Sequence, residues 1–259
     1  MHRPTMMVVK SPEEIARMRR AGQLAARALE GVARAVAPGG VTAELDGLAE
    51  TFIRDHGGVP SFKHYRGYPA SICVSIDDEV VHGIPGTRRL REGSIVSVDL
   101  GVYLDGVHGD VARTIPVGEV DEETRRLLQV TAEALEAGIR EAREGRTTGD
   151  LGWAIQQVAE GAGFSVVRDF AGHGIGRDLH EGPEVPNFGT PGGGVALRRG
   201  LTLAIEPMVN AGGLEVVVLE DGWTVRTRDR ARSAHFEHTV AVGADGPEVL
   251  TRLNGTAPI

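Results

Sequence analysis

The fold of this chain is organised around the stretch Ile95-Val-Ser-Val-Asp-Leu-Gly-Val-Tyr-Leu-Asp-Gly-Val-His-Gly-Asp-Val-Ala-Arg-Thr-Ile115. Asp105-Gly106 separates two apolar runs and is a strong signal for a β-hairpin. A two-residue turn sets the register, so that Gly101 lies opposite Asp110 and Asp99 lies opposite Ala112. Side chains alternate between the two faces of a strand. One face is therefore predicted to be apolar and carries Val96, Val98, Leu100, Val102, Leu104, Val107 and Val111.

The other face of this hairpin carries Asp99 and Asp110 as diagonal neighbours. Diagonal neighbours have Cα atoms about 7–8 Å apart. Two carboxylates at that distance repel each other unless one takes a proton or a cation lies between them. Aspartate is depleted in strands, so a solvated strand face explains the pair less well. The pair therefore predicts a cation site.

Composition limits the classes of protein to which the chain can belong. It has 259 residues, 41% of them hydrophobic, and a formal net charge of −8. That length fits one large domain, and the acidic balance gives no basic stripe for nucleic acid. Cys73 is the only cysteine, which excludes an intrachain disulfide and favours a reducing compartment. Neither a signal peptide nor a membrane-spanning run is recognisable, so we expect a cytoplasmic protein without membrane contact.

The order of elements occurs twice along the chain. Each half is predicted to hold a long helix, a glycine break, a helix that begins at a threonine, a glycine stop and then strands. The long helices are predicted to begin at Ser11 and at Asp121. Thr42 and Gly57 of the first half recur 106 positions later as Thr148 and Gly163. The pattern predicts a single domain, 1–259, with two similar α/β halves at about 11–118 and 121–242.

Three further ionisable residues lie on predicted strands or in glycine-rich turns. Glu206 ends the apolar strand 201–207, where an unpaired carboxylate would be costly to bury, and Glu237 lies in the predicted last strand, 234–242. His173 stands between two glycines, which allow close approach of the backbone. Taken singly, each glutamate would more often pair with an arginine. Together with Asp99 and Asp110, the set suits two divalent cations about 3.5–4 Å apart, of the Mn, Fe(II), Co or Zn type.

Other catalytic patterns are absent or weak. The sequence has neither a Gly-x-Ser-x-Gly elbow nor a His-Glu-x-x-His helix. The run 171–176 looks like a phosphate loop, but no amphipathic helix begins directly behind it. His82 and His180 lie in loops that contain glycine or proline, and by themselves they are interpreted as surface histidines.

Seven segments, spread in order from about Val8 to Val242, resemble the type I methionine aminopeptidases. These segments are Tyr65-Arg-Gly-Tyr-Pro-Ala-Ser71, Val81-His-Gly-Ile-Pro85, Val96-Ser-Val-Asp-Leu100, His108-Gly-Asp-Val-Ala112, Gly172-His-Gly-Ile-Gly176, Ile205-Glu-Pro-Met208 and His235-Phe-Glu-His-Thr239. The resemblance implies an α+β fold in a single catalytic domain, the pita-bread fold of creatinase and the aminopeptidases. In that fold, two α/β halves related by a pseudo-twofold axis share a central antiparallel sheet with two metal ions between them.

The resemblance also implies roles for the ionisable residues. Asp99 would chelate one metal ion, Asp110 and Glu237 would bridge both ions, and His173 and Glu206 would complete the second site. A hydroxide that bridges the two ions would attack the first peptide bond, and Glu206 would accept the proton of the attacking water. His82 would hydrogen-bond the scissile amide nitrogen and His180 the carbonyl oxygen.

The substrates implied by the resemblance are the N-termini of nascent polypeptides that begin with methionine and have a small second residue. Contact with the ribosome near the exit tunnel and a monomeric state are further expectations. The methionine side chain would enter a pocket of largely aromatic residues. These pocket residues are Phe62, Tyr65, Tyr68, Cys73, Leu179 and Trp223.

The chain departs from the family pattern at three positions near that pocket. His235 stands where glutamine is frequent, Leu179 where an aromatic residue is common, and Phe62 where a small residue is common. These departures affect the shape of the pocket. The sequence has no zinc-finger extension and no room for the helical insertion of type II enzymes, so a short bacterial-type form fits best.

Two alternatives remain open from the sequence. Aminopeptidase P and prolidase have similar metal ligands, but they carry a long N-terminal domain that this sequence does not show. A binding protein on the same fold that has lost its metal ions is the other alternative. All five ligand positions are filled here, which favours the enzyme, since fold alone does not decide function.

Overall fold

The structure is a computed structural model that describes residues 7–253. Four α-helices lie within this range, together with the 3₁₀-helix Tyr65–Gly67, and no helix there is long and apolar enough to cross a membrane. The α-helices are α1 (Pro12–Ala35), α2 (Thr42–Asp55), α3 (Glu122–Glu141) and α4 (Thr148–Gly161). All four were predicted from the sequence.

Fifteen short strands complete the secondary structure of residues 7–253. The first half holds β1 (Val59–Pro60), β2 (Cys73–Ile76), β3 (Glu79–Val81), β4 (Ile95–Leu104) and β5 (Val107–Pro116). The second half holds β6 (Ser165–Val166), β7 (Ala171–Gly174), β8 (Glu181–Pro186), β9 (Thr202–Ile205), β10 (Met208–Asn210), β11 (Val216–Val218), β12 (Val225–Thr227), β13 (Ser233–His235), β14 (Glu237–Ala241) and β15 (Glu248–Val249).

Local side chains set where the helices begin. Ser11 caps α1 by accepting the Glu14 N–H at 3.2 Å, while the Glu14 carboxylate accepts the Ser11 N–H at 2.9 Å. Thr147 and Asp150 form the same reciprocal capping box at α4. Such a pair satisfies two backbone N–H groups that the first helical turn leaves without partners. Both boxes are short-range features, which is why the sequence predicted the helix starts to within a residue.

A nine-stranded antiparallel sheet forms the centre of the molecule. Its strands follow the order β1-β4-β5-β14-β9-β7-β8, with β2 paired to β4 and β15 paired to β14. Two three-stranded sheets, β13-β10-β6 and β11-β12-β3, lie outside this path. Strands from the two halves of the chain meet where β5 pairs with β14. The central sheet is therefore continuous across both halves.

The hairpin of β4 and β5 has the predicted register. Gly101 pairs with Asp110, and Asp99 pairs with Ala112. Asp105 and Gly106 have φ angles of 53° and 83°, the left-handed conformations that a tight two-residue hairpin turn requires. The apolar face of the hairpin is buried as expected, except that Leu104, beside the turn, is only partly buried.

The predicted last strand, 234–242, is wrong as a single element. The chain leaves one strand and enters another at Phe236, so that β13 belongs to a small sheet and β14 to the central sheet. Phe236 is 2% exposed and packs in the core under α3 and α4. The sequence pattern did not reveal this break, because the residues on both sides of Phe236 and Phe236 itself are all buried.

Each half of the chain has its own hydrophobic core. Side chains of α1 and α2 pack on β2 and β4 in the first half, and those of α3 and α4 pack around β9 in the second. Helix, helix and strands thus occur in the same order twice, and the α+β class is confirmed. The boundaries of the halves and the single catalytic domain stay predictions.

Candidate metal centre and active site

Five side chains named from the sequence lie on five adjacent strands of the central sheet. The strands β4, β5, β14, β9 and β7 are neighbours in that order. Each contributes one of these residues, although Glu206 comes directly after the last residue of β9. In strand order the residues are Asp99, Asp110, Glu237, Glu206 and His173. Pairing between distant parts of the chain therefore collects the whole predicted ligand set.

Three of these side chains converge closely enough to share one cation. Ligand atoms of Asp110, His173 and Glu237 all lie within 4.8 Å of one another, and all three residues are buried. Glu206 Oε1 lies 3.6 Å from His173 Nε2. Asp99 and Glu206 line the same cavity as the other three. The five groups thus form one anionic cluster at the bottom of a cavity, which we call the carboxylate cluster.

The orientation of His173 leaves one ring nitrogen available. His173 Nδ1 lies 2.8 Å from the Gly174 carbonyl oxygen, so an Nδ1–H that donates to it directs the Nε2 lone pair towards Glu206. The neighbouring glycines are needed for strand packing. A Cβ atom on Gly172 would lie 2.3 Å from the Ala204 carbonyl oxygen, and one on Gly174 would lie 2.1 Å from that of Gly182.

Burial dominates the electrostatics of the carboxylate cluster. It raises the pKa of Asp110 to about 7, and it raises the pKa values of Asp99, Glu206 and Glu237 well above the usual range. Repulsion from the neighbouring carboxylates adds to the effect at Asp99, Glu206 and Glu237. The pKa of His173 falls to about 4 because burial disfavours the imidazolium. The histidine cannot neutralise the carboxylates at neutral pH.

The donor set fits a divalent cation. Asp99 Oδ1 and Glu237 Oε1 are buried and have no hydrogen-bond partner among the residues described. A buried carboxylate oxygen without a partner is costly unless a cation or proton satisfies it. Carboxylates together with a neutral imidazole are ligands that divalent transition metals accept.

His82 lies in the wall of the same cavity. Its φ angle is 62°, a left-handed conformation that few non-glycine residues adopt. The imidazole lies edge-on to Phe170 and Trp223, with ring centroids 5.7 and 6.5 Å apart. Burial lowers the pKa of His82 to about 4, so the ring is neutral. Strained backbone at a polar residue that lines a cavity is a feature of functional sites.

His180 also lines the cavity and stacks beside the cluster. Its ring centroid is 4.1 Å from that of His173 and 5.2 Å from that of Tyr65. Its Nδ1 atom lies 2.8 Å from the Tyr65 hydroxyl. Burial and then the neighbouring His173 lower the pKa of His180 to about 2. The interpretation of His82 and His180 as surface residues, drawn from their loops alone, is therefore wrong.

The cavity above the cluster has a volume of about 190 Å³ and is lined by all six predicted pocket residues. Tyr68 holds two parts of the wall together, since its hydroxyl donates to the carbonyls of Ile72 and Gly83 at 3.2 and 2.8 Å. Its ring lies edge-on to that of Trp223 at 5.1 Å. The six lining residues are Phe62, Tyr65, Tyr68, Cys73, Leu179 and Trp223.

Sequence reasoning missed other wall residues and the depth of His235. Arg66, Val81, Phe170 and Met208 also line the cavity. Arg66 and Val81 adjoin Tyr65 and His82, which were already singled out, whereas Phe170 and Met208 carried no such signal. His235 is 1% exposed, and its Nε2 atom lies 3.6 Å from Glu206 Oε2. Burial and then His82 lower the pKa of His235 to about 3, so the imidazole beside Glu206 is neutral.

Comparison with known proteins agrees with the chemistry of the site. Residues 16–244 match metallopeptidase family M24. The chain belongs to metallopeptidase family M24.

Within that family its relatives are the methionine aminopeptidases. The chain is 51% identical over 248 residues to the methionine aminopeptidase of Clostridium perfringens, a match that covers 96% of this chain and 100% of the relative. It superimposes on the crystal structure of methionine aminopeptidase from Rickettsia prowazekii with a TM-score of 0.94 and 44% identity, covering 95% of this chain and 100% of that chain. The predicted family and the pita-bread fold are confirmed, and the chain is a metallopeptidase of the aminopeptidase type.

The prolidase alternative raised from the sequence is supported only by similarity of fold. Prolidase from Pyrococcus furiosus matches with a TM-score of 0.76 and 22% identity, covering 96% of this chain and 66% of that chain. Sequence identity of 22% supports a common fold and gives no evidence about the substrate. The closer relatives are therefore the ones that bear on activity.

Proposed function

We propose that this chain removes the N-terminal methionine from peptides and nascent proteins whose second residue is small. The observation that carries this proposal is the carboxylate cluster at the bottom of a cavity with aromatic walls. The cluster supplies ligands for a hydrolytic metal centre, and the cavity beside it offers aromatic side chains to the first residue of the substrate. A free α-amine beside four carboxylates would select the chain terminus.

We assign two divalent metal ions to Asp99, Asp110, His173, Glu206 and Glu237, with Mn, Fe(II), Co or Zn as candidates. When bound, such a pair supplies a nucleophile at neutral pH, since it lowers the pKa of bound water from 15.7 to about 7. Four carboxylates on adjacent strands favour two ions over one, because a single divalent charge leaves the cluster anionic.

Glu206 is our candidate for the group that accepts the proton of the attacking water. It ends its strand with one oxygen 3.6 Å from His173 and the other 3.6 Å from His235. Both imidazoles are neutral, so neither holds the carboxylate in an unreactive ion pair. A buried carboxylate has a raised proton affinity, which makes it a better general base. The same group would then deliver a proton to the leaving amine.

Tyr65 determines which nitrogen of His180 faces the substrate. Burial raises the pKa of the Tyr65 phenol, so the hydroxyl keeps its proton and donates it to His180 Nδ1. The ring proton of neutral His180 then resides on Nε2. An Nε2–H aimed into the cavity donates a hydrogen bond to the carbonyl oxygen as negative charge develops there. His82, on another wall, would hydrogen-bond the scissile amide nitrogen.

The pocket chemistry favours a long, flexible thioether. Sulfur–aromatic contacts are worth about 0.3–1.5 kcal/mol each, and Tyr65, Tyr68 and Trp223 all line the cavity where such contacts would form. The second residue of the substrate would lie beside His82, whose ring is already packed between Phe170 and Trp223. Only small side chains fit in that crowded space.

Nascent chains as substrates would place the enzyme in the cytoplasm, in reach of the ribosomal exit tunnel. We further propose a monomer with one catalytic domain, since adjacent strands of a single sheet supply all five assigned ligands. Sedimentation with and without ribosomes would test both statements.

The decisive experiment combines elemental analysis with peptide hydrolysis in Mn, Fe(II), Co and Zn. We expect cleavage of Met-Ala-Ser, little cleavage of Met-Lys-Ser and none of N-acetyl-Met-Ala-Ser. Equal rates for Leu-Ala-Ser and Met-Ala-Ser would contradict the assigned pocket. Preferential cleavage of Xaa-Pro bonds would favour the aminopeptidase P alternative. If the metal-saturated protein hydrolyses none of these peptides, the chain is a binding protein on this fold and the proposed activity is wrong.

A further inference from the structure

A buried ion pair joins the N-terminal segment to the loop that carries His180. Lys10 Nζ lies 2.5 Å from Glu181 Oε2, and the two side chains are 1% and 4% exposed. Lys10 Nζ also donates to the Val8 carbonyl at 2.7 Å. The pair is separated by 171 positions in the chain. Burying two charges is costly, and such pairs contribute little net stability compared with apolar replacements.

Glu181 closes the loop on itself. Its other oxygen, Oε1, accepts the backbone N–H groups of Arg177 and Asp178 at 2.8 and 3.3 Å. The carboxylate thereby spans the loop 176–181, whose two inward residues, Leu179 and His180, line the cavity. The conformation of this loop is determined by one carboxylate directly beside His180.

Lys10 positions that closed loop relative to the rest of the molecule. Its backbone N–H donates to the Gly200 carbonyl at 2.7 Å, so the lysine is anchored beside β9 as well as to Glu181. The packing leaves no slack, because a Cβ atom on Gly176 would lie 2.2 Å from Lys10 Cε and 2.6 Å from Glu181 Oε1. An outer ion pair, between Arg177 and Glu14 of α1, connects the same two segments.

Resting on the function proposed above, we propose that Lys10 and Glu181 are positioning residues for His180 and Leu179. The ion pair holds the loop so that His180 meets the carbonyl oxygen and Leu179 meets the methionine side chain. Lys10 touches neither the substrate nor the metal ligands. The N-terminal segment thereby controls turnover and the choice of first residue through one lysine.

The test uses four variants of the full chain loaded with metal. Lys10→Met and Glu181→Gln each remove one charge with little change of shape, and the double variant leaves no uncompensated charge in the core. Lys10→Arg keeps the charge and, although its side chain is larger, should lose less activity than Lys10→Met. The matched control is Arg19→Met, because Arg19 forms an exposed ion pair with Glu248 from the same end of the chain, with side chains 45% and 48% exposed.

We expect Lys10→Met and the double variant to lower kcat by about tenfold or more, the range found when a group that orients a site is lost. Metal content should stay at the wild-type value, and KM should change less than kcat. The ratio of kcat/KM for Met-Ala-Ser over Leu-Ala-Ser should also fall, because Leu179 moves with the loop. This ratio does not depend on how much of the enzyme is folded. Arg19→Met should leave every value unchanged.

A double variant that is folded and turns over Met-Ala-Ser at the wild-type rate would overturn the proposal and assign the pair to stability alone. A loss of rate with an unchanged Met to Leu ratio and no rescue in Lys10→Arg would also overturn it. Failure of the proposed function looks different, since the wild-type enzyme itself would then not cleave Met-Ala-Ser.

Discussion

The Thr239 hydroxyl donates to the Asp110 carbonyl at 2.8 Å and accepts the Asp110 N–H at 2.9 Å. The Thr239 side chain of β14 thus bonds both backbone groups of Asp110 in β5, in place of a partner backbone. Register pairs between the two strands, Glu237 with Ala112 and His238 with Val111, lie directly beside this contact. The contact is fully buried, and it locks together the two strands that carry Asp110 and Glu237.

We expect Thr239→Val to cost about 1–3 kcal/mol of stability, since it leaves a buried N–H and a buried carbonyl without partners. The affinity for Mn should fall about tenfold or more, because the variant loosens the strands that hold two ligands. Chemical denaturation and a metal titration measure the two effects.

Thr131→Val is the matched control for that variant. Thr131 is buried in α3, and its hydroxyl donates to the Leu127 carbonyl at 2.7 Å. The control should lose stability without any change in metal affinity. Unchanged metal affinity in Thr239→Val, despite lost stability, would show that the contact does not organise the ligands.

The metal-free protein should become less stable as pH rises from about 6.5 to about 8.5. In the unfolded chain the carboxyl groups titrate near 4 and are charged throughout this window. In the folded protein the pKa of Asp110 is about 7, and those of the other cluster carboxyls are well above their usual range. The folded state therefore binds more protons than the unfolded state, and its free energy of unfolding falls with increasing pH.

Histidines with lowered pKa values oppose this slope below about pH 6.5. The pKa values of His173 and His82 are about 4 in the folded state, so these rings take up protons mainly when the chain unfolds. Saturating Mn should abolish the slope above pH 6.5, because the cation replaces the protons. Denaturant titration of the metal-free protein at several pH values measures this slope. A free energy of unfolding that rises between pH 6.5 and 8.5 would contradict the assigned burial of the carboxylates.

Adding Mn or Co to chelator-treated protein should raise its melting temperature. A ligand that binds only the folded state at 100 times its Kd stabilises it by about 2.7 kcal/mol. Asp110→Asn should weaken that shift and abolish most hydrolysis. The same variant should melt no lower than wild type without metal, because it removes one of four mutually repelling carboxylates. Normal metal binding and turnover in Asp110→Asn would refute the site.

His82→Ala should lower kcat by about 10²-fold, the range for a group positioned to act in the transition state. Metal content should remain intact, because His82 is not assigned as a ligand. His82→Asn is the matched variant, since asparagine tolerates the left-handed backbone conformation found here. If both variants raise only KM, His82 binds the ground state and takes no part in the chemistry.

The hairpin shows how much of the site could be predicted from the sequence. Asp105-Gly106 specifies a tight turn locally, and the period of two along each strand then places Asp99 and Asp110 on one face. The three remaining ligands could be named by residue type and family resemblance. Their arrangement could not be derived, because the order β4-β5-β14-β9-β7 depends on pairings between distant segments.

By itself the sequence determined the helix starts, the hairpin register, the family and the identity of the ligand candidates, since these depend on neighbours a few positions apart or on continuous motifs. Only the tertiary structure decided that His82 and His180 line the cavity, that the chain changes sheets at Phe236, and that Lys10 reaches Glu181. Such contacts join residues from distant parts of the chain. Burial and packing set them after the segments meet, and no local pattern records them.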